Sequence, residues 1–314
     1  MSSAGLWPRL DYPAYQATGH SLHMWAQIVG KFRLANTPWL NHSWHATLYP
    51  SARGLATGPV CGATETYEIV FDFIDHVLIA TSSDGKRSSF DLEAMSVAAF
   101  FGRFQAALEE IGAPTHFHGA PNEVPNPVPF AEQTELSSYE ADQAHAFWWA
   151  LRSMQPVFER YRTGFLGKSS PVHLFWGSFD LAVTRFSGRR APLHPGGFPA
   201  LPDAVTQEAY SHEVASSGFW PGGGGVDEAA FYAYAYPVPD GYAQTAIEPE
   251  NAFWHDALGE FVLPYEAVRT ADDPDAALLA FLQSTYAAAA NAAGWDRDAL
   301  DCSIGEPGIP RVVE

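Results

Sequence analysis

The chain has 314 residues, 47% of them hydrophobic and only 17% charged, a folded composition long enough for a large core and one that excludes a disordered chain. Its formal charge of −19 leaves no clustered Lys and Arg for counterion-release binding, which argues against nucleic acid or an anionic membrane surface as a partner. The two cysteines, Cys61 and Cys302, are too few and too far apart for a disulfide framework or a CxxC metal site.

The first ten residues, MSSAGLWPRL, lack the basic start and apolar stretch of a signal peptide. No run of eighteen apolar residues follows anywhere in the sequence, so the expectation is a soluble cytoplasmic protein. Residues 12–35 predict a helix, with Leu22, Trp25, Ile28, Val29 and Phe32 at three-and-four spacing and Pro38 helping to end it. Strands are predicted at 43–49, 54–60, 67–74 and 76–82, then a turn at Asp84-Gly85 and another strand in KRSSFDL. Residues 95–111 predict a helix closed by Gly112. Pro121, Pro125, Pro127 and Pro129 make 119–138 an extended connector.

The same order then returns. A helix is predicted over 139–165, with Pro156 expected to kink or split it. Strands are predicted at 171–176, 179–186, 208–216, 229–236 and near 260–264, and the alanine-rich 274–293 predicts a closing helix. The fold class is therefore α+β with two similar halves, 1–118 and 139–314, each an antiparallel β-sheet flanked by helices and packed as one globular unit. The repeated order suggests an internal duplication. Sliding the halves together places WHATLYPSARGLATG over VHLFWGSFDLAVTRFSG and His45 over His173.

Four runs occur in order: HSLHMWAQIVGKFRLANTPWLNHSWH, SPVHLFWGSFDLAVTRFSGR, EAYSHEVASSGFWPGGGG and FYAYAYPVP. Together they resemble a bacterial family known as domain of unknown function 5996, over nearly the whole chain from Trp7 to Trp295. The resemblance implies a single-family protein of about this length. It implies no activity and no catalytic residues, so the chemistry must be read from the residues.

Twelve histidines stand out, some in local pairs: His20/His23, His42/His45 and His116/His118. His45, His173 and His212 form the sharper set, because each falls in a strand-like run. Three imidazoles facing one aromatic cavity would suit Zn, Fe or Cu with an open position for water or substrate. They would equally serve as three separate core histidines bonded to backbone carbonyls or hydroxyls, or as acid–base groups without metal. Asp180 is a candidate ligand, general base or histidine orienter. In a strand from Phe179, Arg185 lies opposite Asp180 with Leu181 and Val183, where a guanidinium needs a carboxylate or the anionic group of a substrate. Arg53 holds a related place in the first half. Tyr232, Tyr234 and Tyr236 share one face of FYAYAYP, as a packing layer or as one wall of a site. The PGGGG run at 221–225 lacks the spacing of a phosphate loop and reads as a flexible loop beside a pocket. No GxSxG elbow is present.

The residues point first to a cytoplasmic enzyme for a small organic substrate. His45, His173, His212 and Asp180 would be its catalytic groups, and Arg185, Arg53, Tyr232 and Tyr234 would hold the substrate. The three histidines would be the ligands if a divalent transition metal is used. Two alternatives stay open: a non-catalytic small-molecule binder without metal, and an interaction or assembly protein whose histidines are core.

Overall fold

The computed structural model describes residues 7–223 and 226–311. The expectations for residues 1–6, and for Gly224 and Gly225 in the PGGGG run, lie outside them. The first half runs α1 (Tyr12–Asn36), β1 (Tyr49–Pro50), β2 (Gly54–Ala56), β3 (Val60–Cys61), β4 (Thr66–Asp72), β5 (Val77–Ser82), β6 (Arg87–Asp91) and α2 (Val97–Ile111). The second runs α3 (Ala141–Thr163), β7 (His173–Phe175), β8 (Asp180–Arg190), α4 (Asp203–Ala209), β9 (His212–Trp220), β10 (Ala230–Tyr236), β11 (Phe253–His255), β12 (Glu260–Pro264), α5 (Tyr265–Arg269), α6 (Pro274–Ala292) and α7 (Arg297–Leu300). The protein is α+β, with two antiparallel six-stranded sheets. The first is ordered β1-β2-β4-β5-β6, with β3 beside β4; the second is ordered β11-β12-β10-β9-β8-β7.

Local chemistry accounts for most of these elements. Ser96 caps α2 by accepting from the Ala99 amide at 3.1 Å, and Gly112 closes it at φ 75°, a conformation that a β-carbon would strain. In β4 and β5, Ile69, Phe71, Leu78 and Ala80 face one way and are buried. Phe100 of α2 stacks on Phe71, and Trp25 of α1 stacks on Phe100. In the second sheet Leu181, Val183, Phe219, Phe231 and Leu263 form the matching buried face, with Phe158 of α3 against Phe231. α1 packs against both α2 and α3, and α3 packs against α6, so the long helices form one layer over both halves. A single cluster of buried apolar side chains runs through both halves.

The sheets meet at a seam. Leu48 and Leu174 exchange backbone hydrogen bonds of 2.9 and 2.7 Å in an antiparallel bridge. Beside it the Trp176 indole donates to the Ala46 carbonyl at 2.6 Å and lies flat on Gly30 of α1. A β-carbon at Gly30 would overlap that ring, so α1 can approach the seam only with glycine there. Among the described residues, no helix is long and apolar enough to cross a membrane. Cys61 and Cys302 are both free thiols.

Several expected elements are corrected. The strand expected at 43–49 forms only at its end, where Leu48 bridges to Leu174 and Tyr49 opens β1: His42 and Ser43 take left-handed φ of 60° and 58°, and a short helical turn at Asn41–Ser43 takes its start. His45 therefore lies in a loop, while His173 opens β7; the residues that pair across the seam are the two leucines. The strand expected at 54–60 is broken by Gly58, at φ 65°. The strand expected at 208–216 starts late, at His212, because Pro202 and the helix-forming DAVTQEA build α4, which ends at Ala209 and is capped by Tyr210. Pro156 does not split α3. Helices α4, α5 and α7 and strand β11 were not expected; the longest has seven residues, too short to show a periodicity.

Gly30→Ala is expected to lower stability by about 1–3 kcal/mol, the usual range for overpacking a filled site. Urea denaturation checks this, and an unchanged midpoint would mean that the indole can move aside freely.

Candidate functional site

The helix layer covers one face of the second sheet. The other, outer face carries a polar and aromatic cluster. Strand pairing sets it out: Thr184 of β8 is opposite Ser216 of β9, Ser216 is opposite Tyr234 of β10, and Gly218 lies between Ala182 and Tyr232. Asp180 opens β8 on this same face, and Glu260 opens β12 one residue beyond the Ala233–Phe261 pair, which sets it beside Tyr234.

Gly218 makes the central contact possible. A β-carbon there would run into the Tyr232 phenol, so the ring of Tyr232 crosses β9 only because residue 218 has no side chain. The Tyr232 hydroxyl reaches over it and donates to Asp180 Oδ2. Tyr234 stacks beside Tyr232 at 6.0 Å, and its hydroxyl meets that of Tyr210 at 2.9 Å. Thr184 and Ser216 share a hydroxyl hydrogen bond of 2.8 Å. The chain between β8 and β9 crosses above this floor: His194 stacks on Tyr210 and lies tilted against Tyr236, and Tyr236 donates to the Pro192 carbonyl at 3.1 Å.

The connector between the halves closes one end. Gln27 of α1 donates to the Asn122 carbonyl at 2.7 Å and accepts from the Asn122 amide at 3.0 Å. That clamp sets the next residue, Glu123, whose carboxylate accepts from Ser178 at 2.6 Å and lies against Gly177. Lys31, only 3% exposed, donates to the Asn122 side chain, and burial lowers its pKa to about 8. Three non-glycine residues here take left-handed φ: Glu123 (59°), Phe179 (59°) and Ala200 (51°). Such backbone is uncommon outside glycine and concentrates where geometry serves function.

Asp180 is 8% exposed. Burial pushes its pKa up to about 7; the Tyr232 hydrogen bond opposes this, and the charge on Glu123 adds to it. Among the described residues no Lys, Arg or His forms an ion pair with it. Burial also pushes Glu260 up to about 7, with the Asp180 charge adding to the effect. Burial raises the phenols of Tyr232 and Tyr210 well above their usual range, so both stay protonated donors. The arrangement joins two carboxyls poised near neutrality to a fence of hydroxyls. It can give and take protons and hydrogen-bond a small molecule.

Of the residues picked out from the sequence, Asp180, Tyr232 and Tyr234 come together. Glu260, Glu123 and Tyr210 were missed. The alternation in FYAYAYP flags the tyrosines, but only the β10–β12 register reveals that a glutamate stands beside them. The three histidines do not converge. His173 is fully buried, with Nδ1 at 2.6 Å from the Pro171 carbonyl. His45 turns Nδ1 toward the Leu40 carbonyl at 3.2 Å. Half-buried His212 meets Ser211 at 3.1 Å and lies edge-on to His42. Among the described residues no three His, Cys, Asp or Glu side chains form a group that could hold a metal ion. Arg185 faces the helix layer, opposite Asp180, donates to the Tyr161 carbonyl and stacks on the rings of Tyr161 and Tyr286 at 3.6 and 4.3 Å. Arg53, exposed at the edge of the first sheet, pairs with buried Asp72 at the end of β4 and with exposed Asp75 in the turn that follows.

A comparison with protein families matches residues 7–302 to a family of unknown function, DUF5996. The chain belongs to the DUF5996 family. No curated protein and no solved structure matches it. For this DUF5996 chain, then, the argument about chemistry rests on the geometry just described.

The raised carboxyl has a consequence for stability. Between the ordinary aspartate value near 4 and about 7, the unfolded chain has released the Asp180 proton and the folded chain has not, so folding loses stability as pH rises through that window. His23 and His173, both lowered to about 4 by burial, act in the opposite direction. Comparison of Asp180→Asn with the parent cancels them. The variant should gain on the parent from pH 4 to 7, by on the order of 3–4 kcal/mol if the whole shift is expressed. Urea melts at several pH values read this directly; a pH-independent difference would contradict the assignment.

Proposed function

We propose that the protein is a cytoplasmic enzyme that moves protons on a small, uncharged organic substrate held on the outer face of the second sheet. The observation that carries the reading is Asp180. It is a buried carboxyl with a tyrosine hydroxyl as its side-chain partner, poised to hold or release a proton near pH 7. A general acid or base works best when its pKa lies near the working pH.

In this reading Asp180 is the proton-transferring group. Tyr232 orients it and stabilises whichever form carries charge. Glu260 is the second carboxyl, able to take the opposite role once Asp180 has changed state, because the charge on Asp180 opposes its ionisation. Tyr210, Tyr234, Thr184 and Ser216 are hydroxyl partners for a substrate with hydroxyl or carbonyl groups. An anionic substrate is disfavoured because three carboxyls gather here, the charge on Glu123 acting on Asp180 and that on Asp180 acting on Glu260.

The test is turnover. Pools of neutral small metabolites are incubated with the parent, Asp180→Asn and Tyr232→Phe, and consumption is followed by mass spectrometry. The expected result is a substrate consumed by the parent, with turnover reduced about 100-fold or more in Asp180→Asn and less in Tyr232→Phe. A ligand that raises the melting temperature of the parent but is never converted would replace the enzyme with a binding protein.

A further inference from the structure

A second polar cluster lies where the loop after α1 meets the end of α4, and at its centre is a lysine. The chain has three lysines, each in a different setting. Lys31 is buried and donates to the Asn122 side chain. Lys86 pairs with Asp84 at 2.7 Å on the surface. Lys168, which precedes β7, is exposed, and among the described residues no carboxylate pairs with it. Its Nζ lies 2.6 Å from Nε2 of His42. The same nitrogen sits 5.2 Å from the Trp44 ring and 4.9 Å from the Phe186 ring.

His42 is held at its backbone and at its ring. It takes a left-handed φ of 60°, uncommon for a residue with a side chain. Its amide donates to Glu208 Oε2 at 2.8 Å. Its ring packs 4.5 Å from Phe186 and 5.1 Å from Trp44, with His212 edge-on at 6.4 Å. Nδ1 lies 2.7 Å from the Ala209 carbonyl, which can only accept, so Nδ1 carries a hydrogen. Nε2 is then the basic nitrogen, and it faces the lysine. Burial lowers the His42 pKa, so this imidazole is a free base at neutral pH. Partial burial lowers the Lys168 pKa too, with the charge on Glu208 opposing. An amine beside a base that a third group orients is the arrangement of an activated nucleophile.

We propose that Lys168 is a nucleophilic lysine that takes up an aldehyde as a protonated imine. His42 Nε2 removes one proton from the ammonium. The freed lone pair attacks the aldehyde carbon, and the C=O π pair moves onto oxygen. A proton passes from the nitrogen to that oxygen, giving a carbinolamine. His42 then returns its proton to the hydroxyl, the C–O bond breaks, water leaves, and the nitrogen lone pair closes the C=N bond. Ammonium and aldehyde become iminium and water, with no oxidant or reductant. An aldehyde fits better than an acyl donor, because the iminium keeps its positive charge beside Trp44 and Phe186, whereas an amide would lose that cation–π contact. The proposal does not depend on the reading of Asp180.

The experiment treats the full chain with propionaldehyde and sodium cyanoborohydride near neutral pH, with Nα-acetyl-lysine in the same tube as a reference amine. Peptide mass spectrometry reads the rate of reductive alkylation at each lysine. Lys168 should react about tenfold or more faster than the reference amine, and faster than Lys86 and Lys31. His42→Asn removes the base with a residue that tolerates left-handed backbone, and should bring Lys168 down to the reference rate. A Lys168 rate no greater than that of the reference amine, or one unchanged in His42→Asn, would overturn the proposal. If His42→Asn does not fold, the ratio of Lys168 to the reference amine in the parent decides.

Discussion

Two backbone hydrogen bonds between Leu48 and Leu174 turn a pair of antiparallel sheets into one surface. Everything else is arranged around that seam. The long helices take one side, where alternation supplies an apolar face to each sheet and aromatic rings from α1, α2 and α3 fill it. The opposite side of the second sheet is then free to carry polar groups. The first half and the connector help to complete it: Gln27 clamps the segment that delivers Glu123, and the loop bearing His42 packs on Phe186. A site on one half is thus built with the other half's chain, and the seam holds the two in register.

The placement of charge follows a consistent rule. The chain is strongly acidic, yet Lys31, Arg33 and Arg185 are buried, and none of them forms a carboxylate ion pair among the described residues. Arg185 is settled by aromatic rings and a carbonyl, an arrangement in which a weakly hydrated planar cation is at home. Lys31 is settled by an amide and the field of Glu123. The carboxyls on the outer face, with no cation to pair with, keep their protons instead. Burial, with no cation paired to either group among the described residues, is what pushes Asp180 and Glu260 up toward neutrality.

Much of the fold was legible in the sequence, because long helices and alternating strands announce themselves. The three-and-four spacing in α1 and α2 and the period of two in β4, β5 and β10 lead directly to the α+β assignment and the repeated order of elements. The errors fall where local conformation departs from pattern. WHATLY has the alternation of a strand, but left-handed backbone at His42 and Ser43 bends the chain, and only its end forms one. EAYSHEV was read as one strand, and a helix end takes its first residues. The site was half legible. Tyr232, Tyr234 and Asp180 could be picked out because each stands on a face where its type is conspicuous. Glu260 and Glu123 could not, since their importance comes from strand register and a distant clamp. The histidines drew attention by their rarity in strand-like runs, although the three do not meet.

The central claim is that Asp180 holds its proton up to neutrality. Its side-chain carboxyl ¹³C shift, assigned by comparison with Asp180→Asn and followed from pH 3 to 9, tests that most directly. A midpoint near 7 is the result the account requires. A midpoint near the ordinary aspartate value of about 4 would contradict it. The outer face would then be an ionised surface cluster, and the proposed proton chemistry would lose its basis.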